Sequence, residues 1–213
     1  MTSTAINRHR ERAKTRRAEL DAILDAIPFG TLCTAVDGRP WVVPMLFARL
    51  DDRIILHGST GAGALRHVAA GAPAALCVTA IDAVVVASST FESSANYRSA
   101  VVNGVLTPLT DDDKSDALQA LSERLIPGRT TEVRPMLPKE LAATLAVALP
   151  IDDGSWTVKV RTGGPGEPTE SSDAWEGIVP VTTVFGEPEP AAWIPQGRAV
   201  PESVHRLIAE GWR

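Results

Sequence analysis

The chain has 213 residues, 44% of them apolar and 22% charged, with a net charge of −5. Such a composition builds a core and excludes disorder, and the length suits one domain or a domain with a subdomain. The mild acidity argues against nucleic acid as a main partner, and the longest nearly uncharged apolar run, residues 141–151, is far short of the ~20 residues that span a bilayer.

The first basic stretch, residues 7–17, has no apolar run behind it, so a soluble, reduced, cytoplasmic protein without membrane contact is expected. Two cysteines, Cys33 and Cys77, cannot make a disulfide framework or a zinc site by themselves. In residues 11–27, Leu20, Ile23, Leu24 and Ile27 recur at helical spacing, and Pro28-Phe29-Gly30 ends the pattern. Arg8, Arg12 and Arg16 then share one face of that helix, read as a solvated face in preference to a nucleic-acid or membrane contact. Residues 31–36 and 40–50 flank Asp37-Gly38, a hairpin signal, because Asp-Gly supplies the positive φ values of a type I′ turn. A strand over 53–58 leads to a short helix over 64–70, closed by Gly71.

Two apolar runs, 74–80 and 84–87, are split by Ile81-Asp82, and a long Val-rich strand over 96–109 carries Gly104, which suggests a bulge or bend. Thr110 and the three aspartates after it place a hydroxyl and carboxylates at the positive end of a helix reaching Ile126. Residues 138–146 are read as extending the helical portion, and 148–151 with 155–161 as a strand pair around Asp152-Asp153-Gly154. A Gly-, Pro-, Glu- and Ser-rich loop over 162–173 precedes a last strand over 175–185, and the Pro-rich tail ends in a helix over 201–212. The count is six to eight antiparallel strands, with helices after the third and sixth. It predicts a mainly β protein, a barrel with peripheral helices rather than a doubly wound sheet. The expected division is an N-terminal amphipathic helix (1–28), a barrel domain (29–186) and a C-terminal tail (187–213).

Several chemical motifs fail on spacing. Gly61-Ala62-Gly63 follows a strand, but Arg66 stands where a dinucleotide fingerprint needs its third glycine. The alternatives there are an ordinary βα turn or a pocket for one phosphate at Ser59, Thr60 and Arg66. Gly58-Ser59-Thr60-Gly61 lacks the spacing of a nucleophile elbow. The four histidines (His9, His57, His67, His205) have no metal-binding spacing, so no metal is expected. His57 still stands out, closing the apolar run Ile54-Ile55-Leu56 as either a hydrogen-bonded structural residue or a functional one. Asn96, Tyr97, Arg98 and Ser99 put polar groups at the entry to the Val-rich strand. Lys159 and Arg161 point the same way from another strand, balanced either by a bound phosphate or by acids such as Asp152, Asp153 and Glu167.

These residues together resemble a known family. The order Pro40-x-x-x-Pro44-x-x-Phe47, Leu56-His57-Gly58-Ser59 and Phe91-x-x-Ser94-x-Asn96-Tyr97-Arg98-Ser99 resembles the pyridoxamine 5′-phosphate oxidase-like, FMN-binding split barrels, in the branch that holds nitroimidazole reductase-like flavoproteins. Pro127-Gly128-Arg129 with Arg134 and Glu140-Leu141, Lys159-x-Arg161-x-Gly163, and Trp175-x-Gly177-x-x-Pro180 extend the likeness over residues 16–186. The resemblance implies a homodimer with FMN between subunits, and a flavin-dependent oxidoreductase moving two electrons from a nicotinamide donor to a small organic acceptor, nitro-type compounds among the candidates. It implies cofactor contacts from Pro44, Met45, Leu56, His57, Ser59, Thr60, Arg66, Asn96, Tyr97, Arg98, Ser99, Lys159 and Arg161, with His57 as the catalytic group beside the ring. One departure is that Ala62-Gly63 stands where many relatives carry a Ser-Arg or Arg-Lys pair for the phosphate, leaving Arg66 as the nearest cation. A deazaflavin or haem is the alternative cofactor, and a non-catalytic carrier or sensor the alternative function.

Overall fold

The structure, a computed structural model, describes residues 9–168 and 171–212. In chain order the elements are β1 (Ala13–Lys14), α1 (Arg17–Ala26), β2 (Phe29–Val36), β3 (Arg39–Leu50), β4 (Arg53–Ser59), α2 (Gly63–Ala69), β5 (Pro73–Val86), β6 (Ser94–Val105) and β7 (Thr107–Pro108). They continue with α3 (Asp111–Leu125), α4 (Pro138–Ala142), β8 (Thr144–Pro150), β9 (Trp156–Arg161), β10 (Gly177–Pro180) and α5 (Glu202–Glu210). The strands form one antiparallel sheet in the order β1-β9-β6-β5-β2-β3-β4-β8-β7, with β10 on the far half of β5.

The sheet curls around a single apolar interior. Leu32, Phe47, Ile54, Leu56, Leu76, Val102, Val147 and Leu149 meet there, and Leu20, Ile23 and Leu24 of α1 pack against them. Alternation sends Ile54 and Leu56 of β4 inward and Ile55 and His57 to the other face. That outer face is covered by α3, whose Ala117, Leu118 and Leu121 pack on Ala48, Ile55, Ala146 and Ala148. A continuous apolar run in β4 therefore reflects burial on both faces. The fold is the mainly β barrel with peripheral helices that the hairpin count predicts, a split barrel as the resemblance implies, with ten strands among the described residues where six to eight are expected.

The hairpin turn is built as expected, with φ of 49° at Asp37 and 73° at Gly38. Four expectations need correction. The first helix starts at Arg17, not residue 11, because Ala13 and Lys14 pair with Lys159 and Val158; Arg12 and Arg16 thus lie outside it, and Arg8 falls outside the described residues. The two runs 74–80 and 84–87 are one strand with a bulge at Asp82, whose carboxylate takes three hydrogen bonds from Arg98 at 2.8–3.1 Å. Gly104 sits in unbroken register and instead makes room for Leu149, whose Cδ1 would lie 2.9 Å from a Cβ there. Helix α4 stops at Ala142 and leads into β8, which pairs along β4, while β9 pairs with β6; the two strands are not a hairpin. In three of these cases pairing between distant strands overrides the local pattern, and at Gly104 the close approach of Leu149 does.

The last strand is shorter than 175–185, since only Gly177–Pro180 joins the sheet. No helix among the described residues is long and apolar enough to cross a membrane.

Candidate functional site

His57 leaves the outer face of β4 opposite Ala146, beyond the last apolar layer under α3. The small partner leaves space beside the ring, and that space is a cavity of about 270 Å³ lined by Leu46, His57, Leu118, Leu121, Leu125 and Met136, with Ser122 and Thr144 at its polar edge. Ser122, Leu125 and Met136 also line a second cavity of about 310 Å³, so the two form one groove between α3 and residues 126–136. Its outer end carries Arg129 and Arg134. The floor and walls are apolar, and the mouth carries two arginines, each paired with a glutamate.

The His57 ring is mostly out of water, and its Nδ1 is buried with no hydrogen-bond partner among the described residues. An unpartnered buried nitrogen is costly and uncommon. Desolvation holds the imidazole pKa below the usual 6.5, so the ring is neutral near pH 7 and offers a lone pair. At the groove mouth Arg134 donates to both oxygens of Glu140, at 2.9 and 2.6 Å, and Arg129 donates to Glu132 at 3.1 Å. Among the described residues no group of three or more His, Cys, Asp or Glu could hold a metal ion.

The residues singled out in sequence fall in three separate places. His57 faces the groove. Leu56 beside it has no exposed surface and packs the barrel interior, on the face of β4 away from the groove. Met45 packs against that same interior, whereas Pro44, Ser59, Thr60 and Arg66 are exposed.

Tyr97, Ser99, Lys159 and Arg161 form the second group, since the register sets Tyr97 opposite Arg161 and Ser99 opposite Lys159. Asn96, 5% exposed, joins them as a structural link, with Nδ2 donating to the Gly163 carbonyl and Oδ1 accepting from Arg161, both at 2.9 Å. No carboxylate lies within ion-pair distance of Lys159 or Arg161 among the described residues, so Asp152, Asp153 and Glu167 do not balance them. Arg98 is turned to Asp82, beside a third cavity of about 670 Å³ that includes Phe29, Phe185 and Trp212.

Two features were not evident in the sequence. No motif marks Met136 or the leucines of α3, and only the partial cover that α3 gives β4 makes them groove walls. Trp41 lies over Gly63, at the place where the family resemblance led to the expectation of a phosphate-gripping pair.

The whole chain has close structural counterparts. It is 46% identical to the FAD and haem binding protein from Mycobacterium smegmatis, over 92% of this chain and 97% of that one, with a TM-score of 0.90. It is 29% identical to the flavocytochrome Anf3 from Azotobacter vinelandii, over 95% of both chains, at a TM-score of 0.88. A candidate 5-nitroimidazole antibiotic resistance protein from Bacteroides thetaiotaomicron, 17% identical over 70% of this chain and 86% of that one at a TM-score of 0.57, shares the fold. No curated protein matches the sequence. The family model for pyridoxamine 5′-phosphate oxidase matches residues 16–158, from the residue before α1 into β9. With the barrel, the motif order and this match in agreement, the chain belongs to the pyridoxamine 5′-phosphate oxidase family.

Proposed function

We propose that this protein is a redox protein that binds a flavin and a haem, the haem in the groove beside His57. The observation that carries the reading is the neutral, half-buried imidazole with an unpartnered ring nitrogen, set in an apolar slot whose mouth holds two arginines. A haem needs an axial donor, apolar walls for its macrocycle and cations near its propionates. Here His57 would donate to the group, Leu118, Leu121, Leu125 and Met136 would wall it, and Arg129 and Arg134, each also paired with a glutamate, would face its charged edge. The similarity to a protein that binds FAD and haem, and to a flavocytochrome, supports the same pair here.

When bound, the haem supplies one-electron chemistry and the flavin links it to two-electron donors. The chain's own part is to hold a neutral imidazole in one orientation, to keep water from the groove floor and to offset negative charge at the mouth. FAD fits better than FMN or a deazaflavin. Ala62 and Gly63 give no side chain to a lone terminal phosphate, and the Trp41 indole fills the space over Gly63. The flavin is proposed to lie between two copies of the chain, in contact with Tyr97, Ser99, Lys159 and Arg161. Exposed Val84 and Val179, opposite each other on β5 and β10, give a second copy apolar surface to cover. Turnover of a small organic acceptor with a nicotinamide donor is the activity to assay.

The test is the visible spectrum of protein reconstituted with haemin and FAD. The expected result is a Soret band and flavin bands together, with His57→Ala losing the shifted Soret band and keeping the flavin. An unchanged Soret band in His57→Ala would remove His57 as the haem donor.

A further inference from the structure

Helix α5, some seventy residues beyond the groove in sequence, is tied to it at both ends. At its start, the Ser203 N–H donates to Glu132 Oε1 at 2.9 Å and its hydroxyl donates to Oε2, and Ser203 is 1% exposed. Glu132 lies within the wall segment, between Thr130 and Val133, which line the groove. Beyond its end, the Trp212 indole N–H donates to the carbonyl of Leu125, a residue that lines both cavities, at 3.2 Å. Trp212 is itself wedged between Phe29 and Phe185, with ring centroids 5.6 and 4.9 Å away and edge-to-face geometry.

The wall has little structure of its own. Between α3 and α4 the described backbone makes one 3₁₀ turn, Arg129–Thr131. Glu123 of α3 holds the near side, accepting the N–H of Gly128 at 2.6 Å, the N–H of Thr130 at 2.9 Å and the Thr130 hydroxyl. Ser203 holds the far side through Glu132, and Arg206 of α5 lies over Gly128, its Nη1 3.2 Å from where a Cβ would be. Glu140 of α4 fastens the end nearest α4 through Arg134 and the Leu137 N–H, so the stretch between depends on the Glu123 and Glu132 anchors for its position.

We infer that α5 is a clasp for the groove, with Ser203 and Glu132 as positioning residues that fix the wall carrying Arg129, Val133, Arg134 and Met136. The clasp rests on the proposed haem site only for its consequence, which is retention of the group held beside His57. Opening the wall exposes the slot; closing it keeps the slot dry.

The experiment uses the full chain as purified and after haemin loading. Ser203→Ala removes the hydroxyl donor, Ser203→Thr keeps it, and Glu132→Gln keeps the shape while removing the charge. Amide hydrogen exchange over residues 128–136 is expected to rise about tenfold or more in Ser203→Ala and Glu132→Gln, the size expected from losing a charge-assisted hydrogen bond. Exchange in β4 and β8 stays as in the parent, and Ser203→Thr behaves as the parent. Haemin transfer to apomyoglobin speeds up in the same two variants. Unchanged exchange over 128–136 overturns the clasp, as does equal loosening of β4 and β8. A loosened wall with unaltered haemin transfer overturns its role in retention. A parent that binds no haemin, with a wall that still loosens, defeats the haem reading and leaves the clasp standing. If Ser203→Ala does not fold, Glu132→Gln carries the test alone.

Discussion

The indole of Trp41 lies so close over Gly63 that a Cβ on residue 63 would sit 2.7 Å from its Cη2. The hairpin places Trp41 at the start of β3, and the β4–α2 turn brings Gly63 beneath it. Gly63→Ala must therefore push the ring aside. Because Trp41 is 38% exposed, the ring has room to give, and the expected cost is at the lower end of the ~1–3 kcal/mol typical of overpacking. Urea unfolding measures it. The double variant Gly63→Ala/Trp41→Ala should lose less than the two single costs together, since one clash underlies both; additive losses would show that the contact is not made.

Leu56 separates core from site. Its side chain is wholly buried among β-strand residues, so Leu56→Ala should cost about 2–5 kcal/mol in unfolding free energy. The folded fraction should still take up haemin and FAD in the parent's ratio, as read from the Soret and flavin bands. A selective loss of one cofactor at unchanged stability would place Leu56 at a ligand after all.

His57 gives the fold a pH dependence. Burial lowers its pKa in the folded chain below 6.5, so the unfolded chain binds the proton more readily. Stability contributed by the neutral ring is complete above about pH 6.5 and is lost as pH falls from there toward the lowered folded value. Urea midpoints of cofactor-free protein between pH 8 and pH 5 should decline over that window, and His57→Gln should flatten that part of the curve. An identical slope in the two proteins would mean the ring is solvated in the native state.

Much of the architecture can be read from local signals, and the exceptions have physical causes. Asp37-Gly38 and Gly71 mark turns because few residues tolerate their backbone angles, and both do so in the structure. The N-terminal helix is overestimated because nothing local announces that Ala13 and Lys14 pair with a strand formed much later. Residues 74–87 read as two strands because Asp82 looks like a turn residue; its role as the bulge is visible only with Arg98 across from it. At the site, His57 is conspicuous as a polar residue closing an apolar run. Which way Leu56 faces is hidden because Ile54-Ile55-Leu56 is apolar on both faces, which removes the alternation that would tell inside from outside. Of the groove wall only Arg129 and Arg134 stand out in sequence, as part of the family resemblance, and their place beside Met136 gains meaning only once α3 fixes their distance from β4.

The pairing of Ala13 with Lys159 has a kinetic corollary. That contact joins the beginning of the polypeptide to a strand that emerges late in synthesis, so its loop-closure entropy is among the largest in the molecule. Until it forms, the free border of Trp156–Arg161 offers unpaired amides and carbonyls to any extended neighbour. Two residues at the front of the chain thus act as a hem, and trimming them would invite strand-to-strand aggregation even while the barrel itself stays intact.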